Sequence, residues 1–221
     1  LQIGIGGSSV DDDALLLLQG GHHDPRKRGF TFQGLELGMQ GAIDPYLSLQ
    51  AALLYTIDAA TNESDFEMVE AFFTSSQLPA GLHEKGIHLE VGQMLTEFGI
   101  HNPTHLHQRN WLDQPVINTR IFGRDGMRGM GLRIGVSEPT PWLSGLHIGI
   151  QDASGGNMAS FNSSEAGETI GGIAAVDNEV KGLEDFVYLL RLEKEVESYT
   201  KEVHWSLGAS GLCGPNATGD G

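Results

Sequence analysis

A strict two-residue alternation of apolar and polar side chains constrains this chain more than any other feature of its sequence. In Leu47–Asp58, leucines such as Leu49 and Leu53 alternate with polar residues such as Ser48 and Gln50. This period is typical of a β-strand whose two faces meet different surroundings. The helical period of 3.6 residues fits only the short segment DDDALLLLQ, and fits it poorly.

The same alternation recurs along the chain and predicts about nine strands and no well-formed helix. The other segments are Leu1–Ser8, Leu35–Gln40, Glu67–Ser75, Ile87–Gln93, Met130–Ser137, Leu146–Gln151, Phe186–Glu193 and Val203–Ser210. We therefore expect an all-β fold that forms a single domain over residues 1–221.

The connections between these segments alternate in length. Compact turns, several of them with Pro or Gly, alternate with mostly long loops, among them 9–28, 97–128 and 152–183. Antiparallel up-and-down strands with short turns at one end and long loops at the other are typical of outer-membrane β-barrels. Several segments also reach the roughly 9–11 residues that a tilted membrane-spanning strand needs. The pattern favours an antiparallel up-and-down transmembrane β-barrel.

Composition narrows the remaining alternatives. The polar strand faces are rich in Gly, Ser, Gln and His and poor in Lys, which suits a lumen better than a surface in bulk water, although a soluble antiparallel sandwich or barrel stays open. A formal net charge of −16 argues against nucleic acid as the main partner. The single cysteine, Cys213, excludes an internal disulfide framework and a Cys-rich zinc site.

Several phrases resemble a family of porin-like bacterial outer-membrane proteins. They are HDPRKRGFTFQGLELGMQGAIDPY and VEAFFTSSQLPAGLHEKGIHLEVGQMLTEFGIHNPTHLHQRNWLDQPVINTRIFGRDGMRGMGLRI. The resemblance extends from about residue 20 to the C-terminal GPNATGDG. Some members of this family are labelled TonB-dependent outer-membrane receptors, but this chain shows no plug sequence of the kind that such receptors carry.

The resemblance implies a location in the outer membrane of a Gram-negative bacterium and passive transport of small hydrophilic solutes. The expected partners are outer-membrane lipid and small polar solutes, with homo-oligomerisation left open. Because single-chain bacterial barrels have an even number of strands, we expect the chain to be an N-terminal fragment, truncated at both ends and without its signal peptide.

Charged and polar residues on the polar strand faces are the predicted lumen lining, although they can equally pair with one another and brace the wall. They are Glu36, Gln50, Glu70, His88, Glu90, Arg133, His147, Gln151, Arg191, Glu193 and His204. A second group lies at the end of the long loop 97–128 and can form a constriction if that loop folds inward. It comprises Arg120, Arg124, Asp125 and Arg128.

A histidine-rich stretch in the same loop is a candidate metal site. His101, His105 and His107 lie close together in sequence, with Asp113 and Glu97 nearby. Imidazole and carboxylate suit zinc, copper or nickel, but the spacing matches no zinc motif, and hydrogen bonding within the loop is the simpler interpretation. His22 and His23, followed by Asp24, form a second group that meets the first if both loops lie at the same mouth. Apart from such a divalent metal, no cofactor is expected.

No sequence feature favours an enzyme. Cys213 has no neighbouring base, a G-x-S-x-G motif is absent, and the glycine-rich segments lack the strand–loop–helix context of a phosphate site. Two alternatives to a porin-like channel remain: an outer-membrane receptor or channel for a metal or metal chelate, and a non-transporting surface barrel with an adhesive or structural role.

Overall fold

The computed structural model describes residues 1–18, 20–59, 61–75, 77–153, 156–162, 169–170, 173–174, 180–197 and 203–216. Much of the predicted loop 152–183 and most of the last predicted turn lie outside these ranges.

Within the described ranges, nine antiparallel strands form one sheet whose spatial order follows the chain. The strands are β1 (Gln2–Gly6), β2 (Gly29–Ala42), β3 (Leu47–Ile57), β4 (Ser64–Ser75), β5 (Ile87–Leu95), β6 (Arg128–Thr140), β7 (Leu143–Asp152), β8 (Phe186–Glu197) and β9 (His204–Cys213). The predicted all-β, antiparallel up-and-down fold is confirmed. In the described part of the chain β1 and β9 do not pair with each other, so the sheet is open.

Helical structure is short and confined to the connections. The helices are α1 (Asp12–Leu16), α2 (Val116–Phe122) and α3 (Ala159–Asn162), with 3₁₀ turns at Pro79–Gly81, His83–Lys85, Leu106–Gln108, Gly156–Met158 and Leu183–Asp185; a two-stranded pair joins Thr169–Ile170 to Ile173–Ala174. The side chain of Asp11 caps α1 by accepting a hydrogen bond from the amide of Ala14. The sequence did not predict α2, because two turns of helix are too short to give a clear period.

The long connections lie at one end of the sheet. Because adjacent strands run antiparallel, the segments 7–28, 96–127 and 153–185 leave and re-enter the sheet at the same end as the short connection 58–63. Among the described residues, the opposite end carries compact connections, such as 43–46 and 141–142. This arrangement brings the first loop and the segment 96–127 close enough to interact.

The two faces of the sheet differ sharply. On one face, Ile148 pairs in register with Ile134 and Leu190, and these three side chains are 38–49% exposed. On the other face, Arg133 opposes Glu90 and is buried. Directly opposed residues share a face, and the strand registers place all the predicted lumen-lining residues on this second face. We call it the polar face.

The hydrophobic core lies between the polar face and the loops. Leu106, from the segment 96–127, packs against Leu54 and Ala52 of β3. A second cluster joins Phe122 and Met127 to Val187 of β8. These contacts show that the segment 96–127 folds back over the polar face, and the apolar face of the sheet is left without such a cover in the described residues.

A β-bulge in β4 alters which side chains reach the polar face. The register with β3 shifts so that Glu70 opposes Ala52 whereas Glu67 opposes Leu54, and Val69 is the extra residue. In a regular strand, residues three apart lie on opposite faces. The bulge instead brings both glutamates to the polar face.

Among the described residues, no helix has the length and apolarity needed to cross a membrane.

Candidate functional site on the polar face

His105 is held between two carboxylates of the sheet. Its Nδ1 lies 2.7 Å from Oε1 of Glu36 in β2, and its Nε2 lies 2.7 Å from Oε2 of Glu70 in β4. The other oxygen of Glu70 accepts a hydrogen bond from the amide of Leu95 at 2.8 Å. All three side chains are at least 87% buried. His105 therefore fastens the segment 96–127 to the sheet at two points.

This geometry favours a protonated imidazole. Contacts with Glu36 and then Glu70 outweigh the opposing effect of burial and raise the pKa of His105 to about 9. His107 adds a third contact, with Nδ1 3.0 Å from Glu36, but its side chain is 54% exposed. A metal-binding histidine must be neutral. Since both ring nitrogens of His105 already face carboxylates at ion-pair distance, the arrangement suits an ion pair better than a metal.

A charged network occupies the polar face of β5 to β8. Glu97, just after β5, accepts hydrogen bonds from Arg133 at 3.1 Å and from Arg191 at 2.8 Å. Arg133 also pairs with Glu90, and Arg191 with Glu193. Each guanidinium thus lies between two carboxylates and is buried or half-buried. The network joins strands β5, β6 and β8 and fixes the start of the segment 96–127.

Two further histidines flank this network. Nε2 of His147 lies 3.5 Å from Glu193, and the rings of His88 and His147 meet edge to face with 6.5 Å between their centroids. A Cβ atom on Gly135 would lie 2.1 Å from Nε2 of His88, so the absence of a side chain there makes room for the imidazole.

A second histidine cluster joins the first loop to the end of the segment 96–127. Nδ1 of His22 lies 3.2 Å, and Nε2 of His23 3.6 Å, from Oδ1 of Asp125. Nε2 of His23 is also 3.4 Å from Glu67, the glutamate that the bulge turns to the polar face. Glu67 in turn pairs with Arg128. We call His22, His23, Asp125 and Glu67 the loop-junction cluster.

Hydrogen bonds between the two loops hold this cluster in place. The amide of His22 donates to the carbonyl of Arg124 at 3.0 Å. The carboxylate of Asp24 accepts from the amide of Gln114 at 2.9 Å. The side-chain amide of Gln33 donates to the carbonyls of His23 and Leu112. These hydrogen bonds hold the two loops together next to the cluster, so the positions of His22 and His23 do not depend on their contacts with carboxylates alone.

Electrostatics in the cluster follow from burial and from opposite charges. The contact with Asp125 raises the pKa of His22 against the effect of burial. Burial opposes ionisation of Asp125, but the histidines and Arg128 still hold the pKa of this carboxyl below its ordinary value. Asp24 differs: burial is the largest effect, and it raises the pKa of that carboxyl. Asp24 thus serves the loop as a hydrogen-bond acceptor and lies outside the histidine contacts.

The structure separates the histidines that the sequence grouped. His105 and His107 come together around Glu36, whereas the ring of His101 meets Trp111 edge to face at 4.5 Å. Asp113 is exposed. Among the described residues, groups with the spacing of metal ligands comprise Glu36 with His105 and His107, and His22 with His23 and Asp125. The first loop and the segment 96–127 do meet at one end of the sheet. His22 and His23 contact Asp125 there, and not His101, His105 or His107.

The predicted constriction residues are also divided. Arg120 and Arg124 are exposed, whereas Asp125 and Arg128 belong to the loop-junction cluster or contact it. Of the remaining polar-face residues, Gln151 is buried and accepts a hydrogen bond from Thr96 at 2.6 Å. Gln50 is half-buried and His204 is exposed.

Sequence reasoning missed three residues of these networks or gave them too little weight. Glu97 was noted only as a neighbour of the histidines, yet it bridges two arginines. Glu67 could have been found from the break in alternation between Met68 and Ala71, which marks the bulge. Asp58, 3.6 Å from Nε2 of His22, has no comparable sequence signal.

Comparisons with known proteins leave the chain without an assigned family. No protein-family model matches it, and no solved structure matches it significantly. It is similar to an uncharacterised protein of Aquifex aeolicus (strain VF5), with 29% identity over 145 residues, which cover 64% of this chain. The match spans 28% of the length of that relative.

Proposed function

We propose that this chain forms part of an outer-membrane β-barrel that lets small hydrophilic solutes cross passively. The observation that carries the proposal is the inverted distribution of side chains across the sheet. Apolar residues such as Leu37, Ile148 and Leu190 are 48–53% exposed on one face, while charged residues are buried on the other. A soluble sheet buries its apolar face. In a membrane barrel the apolar face contacts lipid and the polar face lines the interior, which accounts for an exposed apolar face and a buried charged face.

The segment 96–127 is the proposed constriction. It lies against the polar face through the ion pairs of His105, the two hydrogen bonds to Glu97, and the packing of Leu106. In a closed barrel the polar face lines the lumen, and a segment attached to it narrows the passage. Charges of both signs on this wall, such as Glu90 beside Arg133, favour polar solutes over apolar ones.

Conductance measurements test this function directly. The purified full-length protein is reconstituted into planar lipid bilayers, and single-channel currents are recorded in potassium chloride. We expect discrete, ohmic steps. Protein that inserts into the bilayer without producing current would overturn the channel proposal and favour a non-transporting surface barrel. Protein that does not insert would overturn the membrane assignment as well.

A further inference from the structure

The loop-junction cluster has the composition of a metal site. One ring nitrogen each of His22 and His23 and a carboxylate oxygen of Asp125 lie within 4.8 Å of one another where the first loop meets the end of the segment 96–127, and Nε2 of His23 also lies 3.4 Å from Glu67. Imidazole with carboxylate is a ligand set for zinc, nickel or copper. From this geometry we infer a binding site for a divalent cation of the zinc type in the loop-junction cluster, a site that does not depend on the proposed channel function.

Distances within the cluster fit the spacing of ligands around a metal ion. Zinc binds nitrogen and oxygen at about 2.0–2.2 Å, so neighbouring ligand atoms of a tetrahedral site are about 3.3–3.5 Å apart. Three nitrogen–oxygen distances in the cluster, His22–Asp125, His23–Glu67 and His23–Asp125, are 3.2, 3.4 and 3.6 Å. Charge-assisted hydrogen bonds are shorter, at about 2.7–2.9 Å. Oδ1 of Asp125 is buried and accepts no hydrogen bond from the described residues, which leaves it available to a cation.

His105 provides an internal comparison. Its nitrogens lie 2.7 Å from their carboxylates, the distance of an ion pair. The two histidine clusters of the protein therefore differ in kind. The ring nitrogens of His105 lie directly against their carboxylates, whereas the contacts of His22 and His23 with Asp125 are 0.5–0.9 Å longer, which is the spacing of atoms that share a metal ion.

The surroundings complete the resemblance to a metal centre. Metal-binding histidines commonly donate their second nitrogen to a carboxylate, which orients the ring. Here Nε2 of His22 faces the carboxylate of Asp58 at 3.6 Å, which is longer than a hydrogen bond, and the second oxygen of Glu67 pairs with Arg128. His23 is 9% exposed and forms the inner wall, while His22 is 41% exposed and leaves an entry from solvent. A bound cation would thus join the two loops across the mouth.

Zinc binding to the purified, folded protein tests the site. Affinity is measured by competition with a chromophoric chelator, and Co²⁺ serves as a second probe because its visible absorption reports tetrahedral coordination. We expect one tight site in the wild type and a loss of roughly 100-fold or more in the double variant His22→Ala/His23→Ala. The matched control is the double variant His101→Ala/His107→Ala, which removes two histidines of the segment 96–127 outside the cluster and should leave affinity unchanged.

Two conservative variants distinguish the loss of a metal ligand from the loss of folding. His23→Gln and Asp125→Asn keep nearly the same side-chain volume, and thermal unfolding reports whether each variant is folded. In folded protein, each substitution should abolish the visible Co²⁺ band and weaken zinc binding. Unchanged affinity in these variants would overturn the site, as would an equal loss of affinity in the His101→Ala/His107→Ala control.

Discussion

Nε2 of His105 lies 2.7 Å from Oε2 of Glu70, although 35 residues separate the two in the chain. The contact joins the segment 96–127 to β4, a strand in the interior of the sheet. One imidazole and the two carboxylates that flank it, Glu36 and Glu70, thus form a buried attachment of the segment 96–127 to the sheet.

Removal of this imidazole should destabilise the protein. We expect His105→Ala to lower the free energy of unfolding by about 3 kcal/mol, because two buried carboxylates lose their partner. His107→Ala is the control, since His107 is 54% exposed and its removal should cost less than about 1 kcal/mol. Urea unfolding followed by tryptophan fluorescence measures both. Adding Glu70→Gln to His105→Ala should restore part of the loss, and equal losses in the two single variants would contradict the assignment.

The same contact predicts a dependence on alkaline pH. The pKa of His105 rises from 6.5 to about 9 in the folded protein through Glu36 and Glu70. Because the folded pKa exceeds the unfolded one, the stabilisation is complete below pH 6.5 and is lost as pH rises through about 9. This shift corresponds to roughly 3 kcal/mol.

Hydrogen–deuterium exchange of the segment 96–127 checks this dependence, with rates corrected for the intrinsic effect of pH. Protection should decrease between about pH 6.5 and 9 in the wild type, and this decrease should be absent in His105→Gln. A decrease of the same size in both proteins would attribute the effect to another group.

Glu97 should control the ion selectivity of the proposed channel. Glu97→Gln removes the carboxylate shared by Arg133 and Arg191, so the wall becomes more positive and the reversal potential in a salt gradient should shift towards anions. Glu84, exposed in the compact connection at the opposite end of the sheet, provides the control Glu84→Gln, which should not shift it. A shift of the same size in the control would place the selective charge elsewhere.

The two sheet faces should respond differently to a new charge. Leu37 is 53% exposed on the apolar face of β2, and Gln40 lies on the polar face of the same strand. We expect Leu37→Arg to reduce folding into lipid vesicles by about 2–4 kcal/mol, the cost of arginine near a bilayer midplane. Gln40→Arg should have little effect. Resistance of the folded fraction to protease provides the measurement, and equal tolerance of both arginines would argue against lipid contact.

Gly92 in β5 should not tolerate a side chain. Its φ is +144°, and a Cβ atom would lie 2.3 Å from the carbonyl oxygen of Ala71. We therefore expect Gly92→Ala to cost about 2–4 kcal/mol of stability through strain and overpacking. Gly38, in β2, has no atom within 4 Å of its virtual Cβ, and Gly38→Ala should be nearly neutral. Thermal unfolding compares the two, and similar melting temperatures would contradict this packing.

The alternation of side chains was sufficient to predict the nine strands and their faces, because the two-residue period is a local property of extended backbone. The predicted strand Leu47–Asp58 matches β3 to within one residue, and the predicted strand Ile87–Gln93 covers most of β5. The bulge in β4 was not predicted, since it depends on pairing with β3. The short helix α2 was missed for lack of length.

The sequence by itself thus determined the class of fold, the end at which the long loops lie, and the polar face that carries Glu36, Glu70, Arg133 and Arg191. Only the tertiary structure decided which of these residues meet. It placed His105 against two carboxylates at ion-pair distance and His22 and His23 against Asp125 at wider spacing. The reason is physical: strand period is set by neighbouring residues, whereas contacts between a loop and a distant strand are set by chain reversal, register and packing.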